Sequence, residues 1–240
     1  MAIDNLYFAI MTLALKMVKA SMPNADEKIR VGCLSYPDLL VTRDLIAETY
    51  PELDGASFVV RKDAEKIKRW HGMSHLNEVI ETSDFFEKIG CDTDYFDFEE
   101  IRGNEIVCDL NFPISEIFCS QYDLVIDTGT LEHCFNVGTA FENMCKLSRI
   151  NGYIVTAAPM SKVNHGFWNF SPCVYDNYFE QNNFEINFLG AFHYVQGKLT
   201  EIEISRNGRN NVPSEAILLS IARRRKESTF IWPLQKKYMS

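Results

Sequence analysis

Two near-continuous apolar runs, Tyr122–Asp127 (YDLVID) and 153–158 (YIVTAA), bracket a stretch, 139–149, in which Phe141, Met144, Cys145 and Leu147 recur at helical spacing. An apolar run with polar ends is the pattern of a strand buried on both faces. Strand, helix and strand in that order predict parallel strands wrapped by helices. The rhythm extends in both directions. Residues 28–34 (KIRVGCL), 95–98 (YFDF) and 105–109 (EIVCD) read as earlier strands, and 184–189, 199–205 and 216–222 as later ones. Residues 39–49 read as a helix ended by Pro51, and 83–90 as a helix with Ser83 as N-cap and Gly90 as terminator. Ser171 and Pro172 open another helix through Phe179. Asn151 and Gly152 read as a turn. The polar loop 207–211 suits a hairpin between the last two strands. The sum is an α/β fold: a doubly wound, mostly parallel sheet with an antiparallel C-terminal edge, in three α/β/α layers.

The 240 residues suit a single domain, 1–240. Within it, 51–73 reads as a surface insertion, since a short apolar run there gives way to a charged one. The N-terminal helix, 1–20, places Asn5, Thr12, Lys16 and Lys19 on one polar stripe and leaves its other faces apolar. It is expected to act as a lid or as a dimer helix, so a homodimer is possible. It lacks the basic start of a signal peptide and is too short to span a bilayer. The formal charge of -9 argues against nucleic acid and anionic membranes as partners, because neutralising phosphates needs a basic face. The one basic cluster, Arg223 to Lys226, is either a solvated strand end or a phosphate contact. Seven cysteines at irregular spacing, with no CxxC, read as reduced thiols of a cytoplasmic protein and not as a disulfide framework or zinc site. No metal is expected.

In a doubly wound fold ligands bind beyond the carboxyl ends of the strands. At the carboxyl end of 28–34 stand Gly32, Cys33, Leu34 and Ser35, read as the start of a loop with a single glycine. Asp97 follows the next strand and can accept two hydrogen bonds from a ribose diol, or be a solvated acid in a turn. Asp109, ahead of Leu110 and Asn111, can accept from an adenine amino group or cap a turn. Beyond Asp127, Gly129 lets the backbone pass close to a ligand, and Glu132 and His133 are adjacent titratable groups. Beyond Pro159, His165 stands among aromatics as a candidate base, or as a loop pin. His71, His75 and His193 carry no supporting context.

The segments YDLVIDTGTLEHCFN, AFENMCKLSRINGYIVTAAP and NHGFWNFSP resemble a class I S-adenosylmethionine-dependent methyltransferase of the small-molecule type, in order over roughly 83–190. EIVCDLN is similar to that family's third strand. The resemblance implies a Rossmann-like sheet with S-adenosylmethionine as cofactor. It assigns Gly32, Cys33, Leu34, Ser35, Asp97, Asp109, Leu110, Thr128, Gly129, Thr130 and Glu132 to the cofactor, and Asn164, Phe167 and Trp168 to the acceptor. His165, with His133 second, is the base. Tyr36, Phe167 and Trp168 are candidate aromatic faces for the sulfonium. The first loop, GCLSYPD, departs from the family's glycine-rich pattern, and the chain between the first two strands is longer than usual. The implied function is methyl transfer to a hydroxyl or amine of a small polar acceptor, such as a sugar or specialised metabolite. A non-catalytic module of the same fold is the alternative. A nicotinamide oxidoreductase is disfavoured because no GxGxxG turn is present.

Overall fold

The computed structural model describes residues 1–24, 26–195, 198–206 and 208–239. In chain order the elements are β1 (Ala2–Ile3), α1 (Asn5–Ser21), β2 (Ile29–Leu34), β3 (Asp38–Leu39), α2 (Arg43–Thr49), α3 (Ala64–His71), α4 (Thr82–Lys88), β4 (Cys91–Asp97) and β5 (Glu105–Val107). They continue as β6 (Tyr122–Asp127), α5 (Val137–Leu147), β7 (Ser148–Pro159), α6 (Pro172–Gln181), β8 (Phe184–Val195), β9 (Lys198–Ile202) and β10 (Ile217–Arg224). Eight strands form one sheet in the order β5-β4-β2-β6-β7-β10-β8-β9. The first five pair in parallel. Their order, third-second-first-fourth-fifth, is that of a doubly wound Rossmann-like fold.

The winding explains the layers. From β2 the chain moves outward one way through α4 to β4, and from β6 it moves the other way through α5 to β7. Crossovers of one hand then place helices on opposite faces. One core joins α1, α2 and α4 to Val31, Cys33, Leu124, Ile126 and Val155. The other joins α5 and α6 to Val125, Ile154, Leu218 and Ala222. Strand residues alternate between the two cores, as the period of a pleated strand requires.

Several expectations change. The final hairpin is β8 with β9, and β10 inserts antiparallel between β7 and β8. The antiparallel strands are therefore inside the sheet as well as at its edge. Asn207, at the start of the expected hairpin loop, lies outside the described residues. Asn151 and Gly152 do not end a strand. β7 runs through them as an irregularity, with Asn151 at φ 66° and the register passing from Tyr122↔Ser148 to Leu124↔Tyr153. Ser83 lies inside α4, and Glu81 precedes the helix without a side-chain cap.

Helix α1, the expected lid or dimer helix, turns most of its apolar residues inward. It lies on the sheet, and only Leu13 among its large apolar residues is exposed. Thr12, expected on its polar face, is buried and shares a hydrogen bond with Tyr50. Among the described residues no helix is long and apolar enough to cross a membrane. Arg224 of the basic cluster is buried, donating to the Ser148 carbonyl and Ser120 hydroxyl, so it serves the fold and not a phosphate. All seven cysteines are free.

Candidate functional site

The reversal of strand order lies between β2 and β6, and two cavities open there at the strands' carboxyl ends. The smaller, about 360 Å³, is lined by Ser35, Asp97, Phe98, Asp109, Leu110 and Thr130, with Met1 and His133 on its margin. The larger, about 640 Å³, is lined by Tyr7, His71, Thr128, Gly129, Glu132 and His165, again with Met1 and His133. Both volumes are of a size that takes a small molecule.

The first loop reaches its cavity through one residue. Gly32, Cys33 and Leu34 are strand residues of β2, and Cys33 and Leu34 are buried. A side chain at Gly32 would meet the Tyr122 ring at 3.0 Å, so that glycine serves packing. Ser35 then turns at φ 68°, the left-handed conformation a glycine would supply more cheaply. It is held there by its amide on the Phe96 carbonyl and by the Thr130 hydroxyl at 3.2 Å, while Thr130 also donates to the Leu34 carbonyl. Tyr36 leaves the cavity altogether. It stacks on Tyr95 at 4.2 Å under the Arg102 guanidinium, and its hydroxyl bonds Glu81. It is no sulfonium face.

Asp97 stands at the end of β4 as expected. Its two oxygens accept the amides of Tyr36 and Phe98, at 2.9 and 2.7 Å. Each carboxylate oxygen has a second lone pair, so a diol can still be received. Asp109 accepts the Asn111 amide and side chain through Oδ1, the turn-cap role. Leu110 supplies an apolar wall beside it.

The turn after β6 builds the other cavity. Asp127 is fully buried and caps the turn by accepting the amides of Gly129 and Thr130. Burial pushes its carboxyl up, with those amides opposing. Glu132 is 1% exposed. Burial, and then the charge of Asp127, push its carboxyl well above the usual carboxylate range. Its Oε1 faces Nε2 of His165 at 3.5 Å. Its Oε2 and the hydroxyl of Thr128 are buried without hydrogen-bond partners. His133 and His165 lie with ring centroids 5.5 Å apart. Burial, ahead of neighbouring positive charge, lowers both imidazoles and keeps them neutral.

The loop after β7 is latched to the same turn. The amides of Phe167 and Trp168 donate to the Glu132 carbonyl, and the Trp168 indole donates to the Cys134 carbonyl. Phe167 and Trp168 then face outward against Phe135, and Asn164 is exposed at φ 61°. All three lie on the rim and not in the cavity wall. Thr128, Gly129 and Glu132, expected at the cofactor, line the larger cavity. Thr130 lines the smaller one.

Sequence reasoning missed Tyr7, Trp70 and His71 in this wall. Trp70 and His71 close the segment 51–73, expected as a surface insertion, and bring its end to the cavity. Asp38 ties the segment down through His71 and Arg61, at 3.1 and 3.4 Å, and also pairs with Arg102 at 3.2 Å. Three of the five histidines thus converge on one cavity, from segments about 30 to 60 residues apart, a spacing no local motif reveals.

No protein-family profile and no curated protein matches the chain. Solved structures similar to it include 1,6-didemethyltoxoflavin-N1-methyltransferase of Burkholderia thailandensis, with S-adenosylhomocysteine bound. It is 12% identical, with 92% of this chain and 82% of that one covered and a TM-score of 0.46. The N-methyltransferase NodS of Bradyrhizobium japonicum is 10% identical over 93% and 89% of the two chains, with a TM-score of 0.45.

Proposed function

We propose that this protein transfers a methyl group from S-adenosylmethionine to a hydroxyl or amine of a small polar acceptor. The observation that carries the reading is the pair of cavities at the switch point, which share Met1 and His133 as a common margin. A group-transfer site needs two ligand chambers that meet, and a binding module needs one.

The smaller cavity suits the nucleoside end of the cofactor. Asp97 retains free lone pairs toward a diol, Asp109 and Leu110 offer an acceptor and an apolar wall, and Ser35 brings backbone close. The cofactor, when bound, supplies an electrophilic methyl carbon. The larger cavity takes the acceptor, whose polar atoms meet the unpartnered Thr128 hydroxyl and the Glu132–His133–His165 group. Positioning of the two ligands contributes most of the rate, about 7–11 kcal/mol in favourable systems. A base adds roughly 10²–10⁴-fold. His165, neutral and open to the cavity, is the residue we assign to the acceptor's proton, with His133 second.

Calorimetric titration with S-adenosylhomocysteine and, separately, with NAD tests the reading. Saturable binding of the first and none of the second is expected. Binding of neither leaves the non-catalytic module as the better account, and binding of NAD alone rejects methyl transfer. Asp97→Ala removes charged hydrogen-bond acceptors worth about 1.5–3 kcal/mol each, so affinity for S-adenosylhomocysteine is expected to fall roughly tenfold or more. Unchanged affinity would move the ribose elsewhere. Once an acceptor is in hand, His165→Ala is expected to keep cofactor affinity and lose roughly 10²–10⁴-fold in turnover.

A further inference from the structure

We propose that Glu132, His133 and His165 form a binding site for one divalent first-row transition-metal ion at the wall of the larger cavity. The donor atoms of the three side chains all lie within 4.8 Å of one another, with Glu132 Oε1 and His165 Nε2 at 3.5 Å. Ligands of one ion at bond lengths of about 2.1 Å stand roughly 3–4 Å apart. Small rotations of two imidazoles close the remaining gap, and both rings are at the cavity surface with room to turn.

A second observation points to the same ligand. Glu132 is buried and aimed at the histidines, yet its Oε2 has no hydrogen-bond partner. A buried carboxyl oxygen with no partner is costly until a proton or a cation completes it. The chain also encloses Glu132 closely. A side chain at Gly129 would come within 2.9 Å of Oε1, and one at Gly166 within 2.7 Å of the Glu132 carbonyl. The loop carrying His165 is tied to that same carbonyl by two amides. The carboxylate and the backbone that carries the His165 imidazole are therefore held in fixed relation before any ion arrives, and only the rings need turn.

The donor set selects the ion class. Two imidazole nitrogens and one carboxylate suit Zn²⁺, Co²⁺, Ni²⁺ or Fe²⁺, whereas Mg²⁺ and Ca²⁺ favour all-oxygen shells. The open coordination positions face the cavity, where Thr128 offers its unpartnered hydroxyl to a metal-bound water or acceptor oxygen. Lys162 is the opposing charge in the same wall. The site rests on the methyl-transfer reading only for the identity of the molecule that fills those positions. The ion and a proton compete for His165 Nε2. In the loaded site His165 is a ligand, so the role of base assigned to it above belongs to the ion-free protein.

The test uses the untagged full chain, stripped with a chelator, dialysed, and titrated with CoCl₂ and then ZnCl₂. The visible absorption of Co²⁺ is expected to change, saturate at one ion per chain and vanish on displacement by Zn²⁺. Glu132→Gln and His165→Ala are each expected to weaken Co²⁺ binding about 100-fold or more, by comparison with the 10–100-fold typical of residues one shell out. His75→Ala, remote from the cavity, leaves it unchanged. If Glu132→Gln does not fold, His133→Ala, at an exposed ring, replaces it. Absence of a saturating spectrum, or a spectrum indifferent to these variants, overturns the site. A parallel titration with S-adenosylhomocysteine separates the two readings. Co²⁺ binding without it sinks methyl transfer and leaves the metal site, and the reverse sinks the metal site alone.

Discussion

Gly166 shows how much a single missing side chain decides here. Its position against the Glu132 carbonyl leaves no space for a Cβ, and the contact is with backbone, which cannot swing away. Gly166→Ala is expected to cost about 1–3 kcal/mol, as overpacking usually does, read as a lower urea midpoint at unchanged m-value. A midpoint within error of the parent would mean the loop relaxes and the latch is loose. The sequence makes such residues visible only as types. The places of Asp97, Asp109 and His165 at or beyond strand ends were legible, because the strands that precede them have clear apolar patterns. Gly32 was misread because a glycine near a strand end suggests a loop. The Tyr122 ring that excludes a side chain there comes from a neighbouring strand, a contact no linear pattern encodes. Glu132, expected at the cofactor, lines the larger cavity. Its direction depends on how the turn after β6 folds around Asp127, not on its place in the chain.

Helix α5 carries the clearest case of one element setting another's shape. Asn143 is 1% exposed, and its side chain accepts the Ile114 amide while donating to the carbonyls of Leu110 and Phe112. It thereby fixes the loop that presents Asp109 and Leu110 to the smaller cavity. Asn143→Ala leaves three backbone groups unsatisfied, and each buried one costs about 1–3 kcal/mol. A loss of several kcal/mol in chemical denaturation is expected, with weaker binding of S-adenosylhomocysteine in whatever fraction folds. A loss under about 1 kcal/mol would show that water replaces the amide. Helices and buried strands were legible wherever the apolar period was strong, as in α5, α6 and β6. The exceptions had tertiary causes. β7 passes through an Asn-Gly pair as an irregularity, since its register with β6 resumes at Leu124↔Tyr153 and its pairing with β10 begins at that same Tyr153. The face of α1 around Thr12 was misjudged because Tyr50 supplies its hydroxyl a partner.

The acid limit of stability is a property of the whole molecule. Burial raises the Asp38 carboxyl, but the His71 hydrogen bond and the charges of Arg102 and Arg61 outweigh it and hold the group below its usual value. Glu105 is likewise raised by burial and lowered further by the amides of Arg102 and Asn104 and the Arg102 charge. A carboxylate lowered on folding binds its proton more readily when unfolded, so its stabilisation is complete above the unfolded value, near about 4. It is lost as pH falls through the lower folded value. The contribution of these two groups to the urea midpoint is therefore expected to hold above about pH 5 and decline below about pH 4, with a shallower decline in Asp38→Asn. Asp127 and Glu132, raised by burial, act in the opposite sense and lower the midpoint as pH rises through their raised values. A midpoint flat down to about pH 3 would deny Asp38 and Glu105 this role.

Strand β10 has a consequence for how such a chain is made. It lies between β7 and β8, yet among the described strands it is the last in chain order and leaves the ribosome after both of them. Until residue 224 is available, β7 and β8 each present an open edge to the other's missing neighbour. The half of the sheet beyond β7 cannot assemble in the order of synthesis. It must wait, with apolar strand edges exposed, for a segment some 60 residues downstream of β7. Nascent chains stalled before Ile217 should accordingly bind chaperones and resist compaction, while chains released beyond Arg224 close the sheet in one late step.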